Sequence, residues 1–175
     1  KSMMKKLLCL SLLATGAMLY ATADPLKPEN WNKQFSTSGK ALKIAHAEKE
    51  NAVRFLASFP DSVKDRWLYP AIALSPEDRD ADTLHFEIRA VQNPAGRGYK
   101  NTLVIFLDAK GKQLGGITFP APQEEYSQVT LKLDGRLKFP LSDAASIRIG
   151  LNNRDAQEVA MFLRNIRFEK KAPAR

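Results

Sequence analysis

Leu84-His85-Phe86-Glu87-Ile88-Arg89 alternates strictly between apolar and polar side chains, and Ser146-Ile147-Arg148-Ile149-Gly150-Leu151-Asn152 repeats the pattern. A period of two sends successive side chains to opposite faces of a strand, so each stretch predicts a strand with one face in a core. No stretch of ten or more residues carries a convincing helical period; Ala45 to Phe55 comes nearest and fits a helix poorly.

Turn residues recur at regular spacing between apolar runs rich in Val, Ile, Leu, Phe and Thr. The runs predict nine strands, at 41–47, 52–59, 67–74, 83–92, 102–109, 114–120, 127–133, 145–152 and 159–169. Leu103 to Leu107 is apolar throughout and suits a central strand covered on both faces, closed by the turn Asp108-Ala109-Lys110-Gly111. Met161 and Leu163 lose their parity with Ile166 and Phe168 across Arg164-Asn165, which predicts a bulge there. Phe86, Ile88, Ile147, Ile149, Leu163 and Ile166 are the predicted core. Nine short strands without helices predict an all-β, two-sheet antiparallel β-sandwich, a jelly roll before an immunoglobulin-like arrangement.

The chain of 175 residues carries 27 Lys and Arg against 19 acids, with a single cysteine. That is one domain's worth of ordinary globular protein, neither disordered nor a disulfide scaffold. Lys5 and Lys6, the apolar run Leu7 to Leu13 and the box Ala21-Thr22-Ala23 have the order of a secretory signal peptide. Residues 1–23 are accordingly expected to be a removed leader, 24–30 a lead-in, 31–169 the sandwich and 170–175 a basic tail. Cys9 lies within the apolar region and not behind the cleavage box, so no lipid anchor is expected. No run is long enough for a transmembrane anchor.

Cleavage after Ala23 would remove the cysteine and leave 24 basic residues against 19 acidic ones, a charge of +5. The expected location is secreted or periplasmic, where a chain without cysteine avoids disulfide exchange. The basic residues form no block of five or six, so no nucleic-acid partner is expected.

Trp67 and Tyr69 stand two apart, so both rings leave one face of their strand while Leu68, Pro70 and Ile72 take the other. If the second set faces the core, the rings make a platform on which flat sugar faces can stack. Arg89, Gln92, Arg148 and Asn152 share the polar parity of their strands and offer planar donors suited to neighbouring hydroxyls, provided that one sheet gathers them. The loop from Asn93 to Asn101, with Arg97, two glycines and Tyr99, suits either a ligand-contacting edge or a long hairpin. Glu77, Asp78, Asp80 and Asp82 crowd another loop and leave a structural calcium open, although the order is not that of an EF-hand.

Enzyme signatures are sparse. His46 and His85 have no metal-ligand spacing, and no G-x-S-x-G, P-loop, G-x-G-x-x-G or E-x-D-x-x-E is present.

Five segments carry a resemblance: Ala52-Val53-Arg54-Phe55, Asp65-Arg66-Trp67-Leu68-Tyr69-Pro70, Leu84 to Arg89, Ser146 to Asn152, and Phe162-Leu163-Arg164-Asn165-Ile166. Together they resemble the galactose-binding-domain-like jelly rolls that serve as carbohydrate-binding modules beside bacterial glycosidases, over about Trp31 to Glu169. Arg164 stands where many relatives have an Asp. The resemblance implies a non-catalytic domain that binds a polysaccharide or glycan on a sheet face or loop edge, and in many relatives a structural calcium. The alternatives are a structural or protein-interaction sandwich of the cell envelope, or a small polysaccharide hydrolase or lyase. The sugar and the oligomeric state stay open.

Overall fold

A computed structural model describes residues 23–33, 36–37, 42–95 and 97–170. The expected leader up to Thr22, with Cys9, and the tail beyond Lys170 lie outside the described residues. Among the described residues no helix is long and apolar enough to cross a membrane.

The chain forms a two-sheet antiparallel β-sandwich of the jelly-roll kind. Strands β1 (Trp31–Asn32), β5 (Ala71–Ala73), β10 (Ser146–Asn153), β7 (Tyr99–Leu107) and β8 (Gln113–Thr118) lie side by side in that order, with β4 (Arg66–Leu68) also paired to β10. This is the first sheet. The second has the order β2 (Lys43–Ala47), β3 (Ala52–Ser58), β11 (Glu158–Glu169), β6 (Thr83–Asn93), β9 (Ser127–Lys132).

The alternating stretches place one apolar row of each strand between the sheets. Leu84, Phe86 and Ile88 from the second sheet meet Ile147, Ile149 and Leu151 from the first in one buried core, with Val104, Phe106, Phe55, Met161 and Leu163. β7 is interior, and its outward residues Ile105 and Leu107 are buried as well, as the continuous apolar run requires; Leu103 is half-buried. Asp108 closes the following turn by accepting the backbone N–H of Lys110 and of Lys112, both at 2.8 Å, with Gly111 at φ +78°.

Three expectations need correction. The strand predicted over 67–74 is two short strands, because Pro70 has no N–H to give β10 and offers only its carbonyl, which accepts the Ile149 N–H at 3.2 Å. The segment after Asn93 is not a hairpin, since β6 and β7 belong to different sheets and the loop crosses the sandwich end. Ile166 packs against the core only partly buried. It follows the predicted bulge, where the β11 register against β6 shifts between Arg164 and Arg167 and Asn165 takes φ +53°.

Candidate functional site

The outward row of β10 is Arg148, Gly150 and Asn152, since Ile147, Ile149 and Leu151 are fully buried on the other side. β4 sets Trp67 opposite Asn152 and Leu68 opposite Leu151. Leu68, Pro70 and Ile72 are buried, which leaves Trp67 and Tyr69 partly exposed on the outward face. Their ring centroids are 5.9 Å apart, edge to face at 72°.

Gly150 explains how two large rings can lie so close to the sheet. A Cβ there would come within 3.1 Å of Cζ3 of Trp67 and 3.3 Å of Cβ of Tyr69, so the rings rest on bare backbone. Thr37 pins the strand that carries them. Its N–H donates to the Trp67 carbonyl at 3.1 Å, its hydroxyl accepts the Trp67 N–H at 2.8 Å, and the same hydroxyl donates to the Asp65 carbonyl.

Arg148 sets its guanidinium carbon 5.2 Å from the centre of the Tyr69 ring. Burial pulls the pKa of this guanidinium down, with Tyr69 acting in the opposite sense. Asn152 is 4% exposed and donates from Nδ2 to Asp65 at 2.8 Å, while its Oδ1 is buried without a hydrogen-bond partner among the described residues. Leu103 and Ile105 stand opposite Gly150 and Arg148 on β7, continuing the floor. The face thus combines two rings, an apolar floor and one guanidinium, with Asn152 buried beneath it. Such a set can stack an apolar sugar face and hydrogen-bond its hydroxyls.

Arg89 and Gln92 do not join this face, because β6 belongs to the other sheet. Arg89 lies outward there, its guanidinium carbon 3.8 Å from the centre of the Phe162 ring, and donates from Nε and Nη2 to Glu50 at 2.8 and 2.7 Å. Tyr126 donates its hydroxyl to the same carboxylate at 2.8 Å. The Arg89 hydrogen bond foremost holds the Glu50 carboxyl below its ordinary range, and burial with the Glu50 contact pushes the Tyr126 phenol up to about 12. Beside them Arg164 donates to Glu87 at 2.7 Å and stacks 3.9 Å from the Tyr126 ring. Glu50, Glu87, Arg89 and Arg164 thus form a network of paired charges on the outer face of the second sheet.

Gln92 spans the two sheets, donating to the Gly98 carbonyl at 3.1 Å and to Asn153 Oδ1 at 2.9 Å. Tyr99 is the first residue of β7 and packs partly against the core, where burial pushes its phenol up to about 12. The two meet in a separate cleft with Ala90, Pro122 and Gln123.

The aspartates of the acidic loop are engaged separately. Asp78 accepts the Ser75 N–H, Asp82 accepts the Thr83 hydroxyl, and Asp80 pairs with Lys170. Among the described residues no group of three His, Cys, Asp or Glu side chains is placed to hold a metal ion. Gly150, Thr37 and Asp65 also build the ring face, which no local spacing in the sequence displays for Thr37 or Asp65. A glycine inside an alternating strand was the available signal for Gly150.

Scans of the sequence against family models and curated proteins give no match. The fold has clear likenesses among solved structures. A family 28 carbohydrate-binding module specific for non-crystalline cellulose superposes with a TM-score of 0.56 at 17% identity, over 87% of this chain and 94% of that one. A family 11 module of a cellulosomal cellulase from Clostridium thermocellum gives 0.52 at 12% identity, over 88% and 97%. An exo-β-agarase gives 0.54 at 13% identity, matching 87% of this chain to 25% of that chain. The fold of this chain is therefore that of the β-sandwich carbohydrate-binding modules.

Proposed function

We propose that this chain is a non-catalytic glycan-binding domain that holds a polysaccharide on the outer face of its first sheet, in the periplasm or outside the cell. The observation that carries the reading is the pair Trp67 and Tyr69, turned outward over Gly150 while Leu68 between them and Pro70 after them are buried. Rings held in this way meet a sugar without reordering, which lowers the entropic cost of binding. Arg148 flanks them as a planar donor for hydroxyls. The family 28 module is specific for non-crystalline cellulose and another module of the same fold recognises mannan, which supports a polysaccharide as the substrate class here. The carboxylates Glu50 and Glu87 are committed to arginines, which favours binding over acid–base chemistry.

The test is retention on a panel of insoluble polysaccharides by the protein and by Trp67→Ala and Tyr69→Ala. Loss of a stacking ring should weaken binding by about 1 to 3 kcal/mol, by analogy with bases stacked on aromatic side chains. The melting temperature should hold, since neither ring belongs to the core cluster. Retention unchanged by both substitutions would remove the rings from the site.

A further inference from the structure

The first sheet ends, just beyond the rings, in a cleft whose charged side chains are mostly cationic. β10 pairs with β7 residue for residue until Asn152 faces Asn101, then slips so that Asn153 faces Tyr99 and Lys100 opposes nothing. A bulge of this kind re-aims a side chain. Lys100 lines an open cleft of about 490 Å³ with Arg97, Arg154 and Asp155.

The cleft has a fixed frame. The Arg154 N–H donates to the Gly98 carbonyl at 3.2 Å, and Lys100 Nζ donates to the Lys64 carbonyl at 3.0 Å. Asp155, the one carboxylate of the lining, accepts the Arg97 N–H at 3.0 Å and Arg97 Nε at 2.7 Å. Those bonds use both carboxylate oxygens. Among the described residues no carboxylate lies within ion-pair distance of Lys64, Lys100 or Arg154. Positive charge therefore exceeds negative charge in a concavity that begins one or two residues past the Trp67, Asn152 and Asn101 row, about 3 to 7 Å along the strands.

We propose that this cleft receives the acidic groups, carboxylate or sulfate ester, of an anionic polysaccharide whose backbone crosses Trp67 and Tyr69. The inference rests on the glycan-binding reading above and narrows its substrate class. Three exposed cations in one concavity attract an anion without the desolvation penalty of a buried charge. On the ring face itself Arg148 adds a cation beside Tyr69, while the exposed Asp65 carboxylate, held by Asn152 Nδ2 at 2.8 Å, adds an anion.

Affinity electrophoresis of the full chain tests it with matched polymers: polygalacturonate against its methyl ester, and dextran sulfate against dextran, at 50 and 200 mM salt. Single-stranded DNA serves as a polyanion without sugar hydroxyls at every position. At least one charged polymer should retard the protein more than its neutral partner, and the difference should shrink at the higher salt. The double substitution Lys100→Gln with Arg154→Gln should lower that affinity by about 3- to 10-fold, with the melting temperature kept. If Trp67→Ala also lowers it, the rings and the cleft share one ligand.

Equal retardation within both pairs, or none by any polymer, would overturn the proposal. So would DNA retardation as strong as that by the charged glycans and indifferent to Trp67→Ala. Binding lost in Trp67→Ala but untouched by the cleft substitutions would leave the glycan reading standing and remove the cleft. Binding lost in the cleft variant but untouched by Trp67→Ala would detach the cleft from the rings and overturn the shared ligand.

Discussion

Trp67 lies across Gly150, with 3.1 Å between its Cζ3 and the point where a Cβ would stand. That contact makes the glycine a determinant of the ring geometry. Gly150→Val should lift the rings from the sheet, changing the near-ultraviolet circular dichroism and weakening polysaccharide retention several-fold. Because the rings face outward and can yield, the fold should survive the change. An unaltered aromatic spectrum with full retention would show that the rings do not depend on this contact.

Core truncation should act oppositely. Ile149 and Leu163 are fully buried in the shared core of the two sheets. Either one changed to Ala should cost about 2 to 5 kcal/mol in denaturant unfolding. A loss below about 1 kcal/mol would mean that the sheets do not pack through these positions.

The charge network on the second sheet predicts a pH dependence. Glu50 and Glu87 are held below the ordinary carboxyl value of 4.5, Glu50 first by Arg89 and Glu87 first by Asn165 and then Arg164. A carboxyl depressed in the folded state adds stability above its unfolded pKa, and that stability is lost as pH falls through the folded value. Glu50→Gln should therefore destabilise the protein by about 1 kcal/mol at pH 7. Melting curves of protein and variant should converge below pH 4.5. A gap that persists undiminished at pH 3 would assign the effect to packing.

Asp108 offers a local test. Its carboxylate accepts two backbone N–H groups of the turn, at 2.8 Å each. Asp108→Ala should cost about 1 kcal/mol, and Asp108→Asn, which keeps an acceptor, should recover most of it. Equal losses in both variants would mean that the charge, not the acceptor geometry, stabilises the turn.

Much of this architecture could be read from the chain. Alternation along Leu84 to Arg89 and Ser146 to Asn152 assigned the buried face of each strand, because a one-residue slip would expose every apolar side chain at once. The same parity turned Trp67 and Tyr69 outward together, and the break at Arg164-Asn165 marked the bulge. Periodicity is a property of one strand, however, and it does not say which sheet the strand joins. Arg89 and Arg148 both hold outward positions on well-alternating strands, yet β6 pairs with β11 and β10 with β7, so the two arginines stand on opposite faces of the molecule. Strand order decides that through pairings between residues far apart in the chain, such as Phe162 with Arg89 and Arg148 with Ile105. It also decided that Glu50 would claim Arg89 and that Gly150 would underlie Trp67, because neither relationship has a local spacing that a sequence could display.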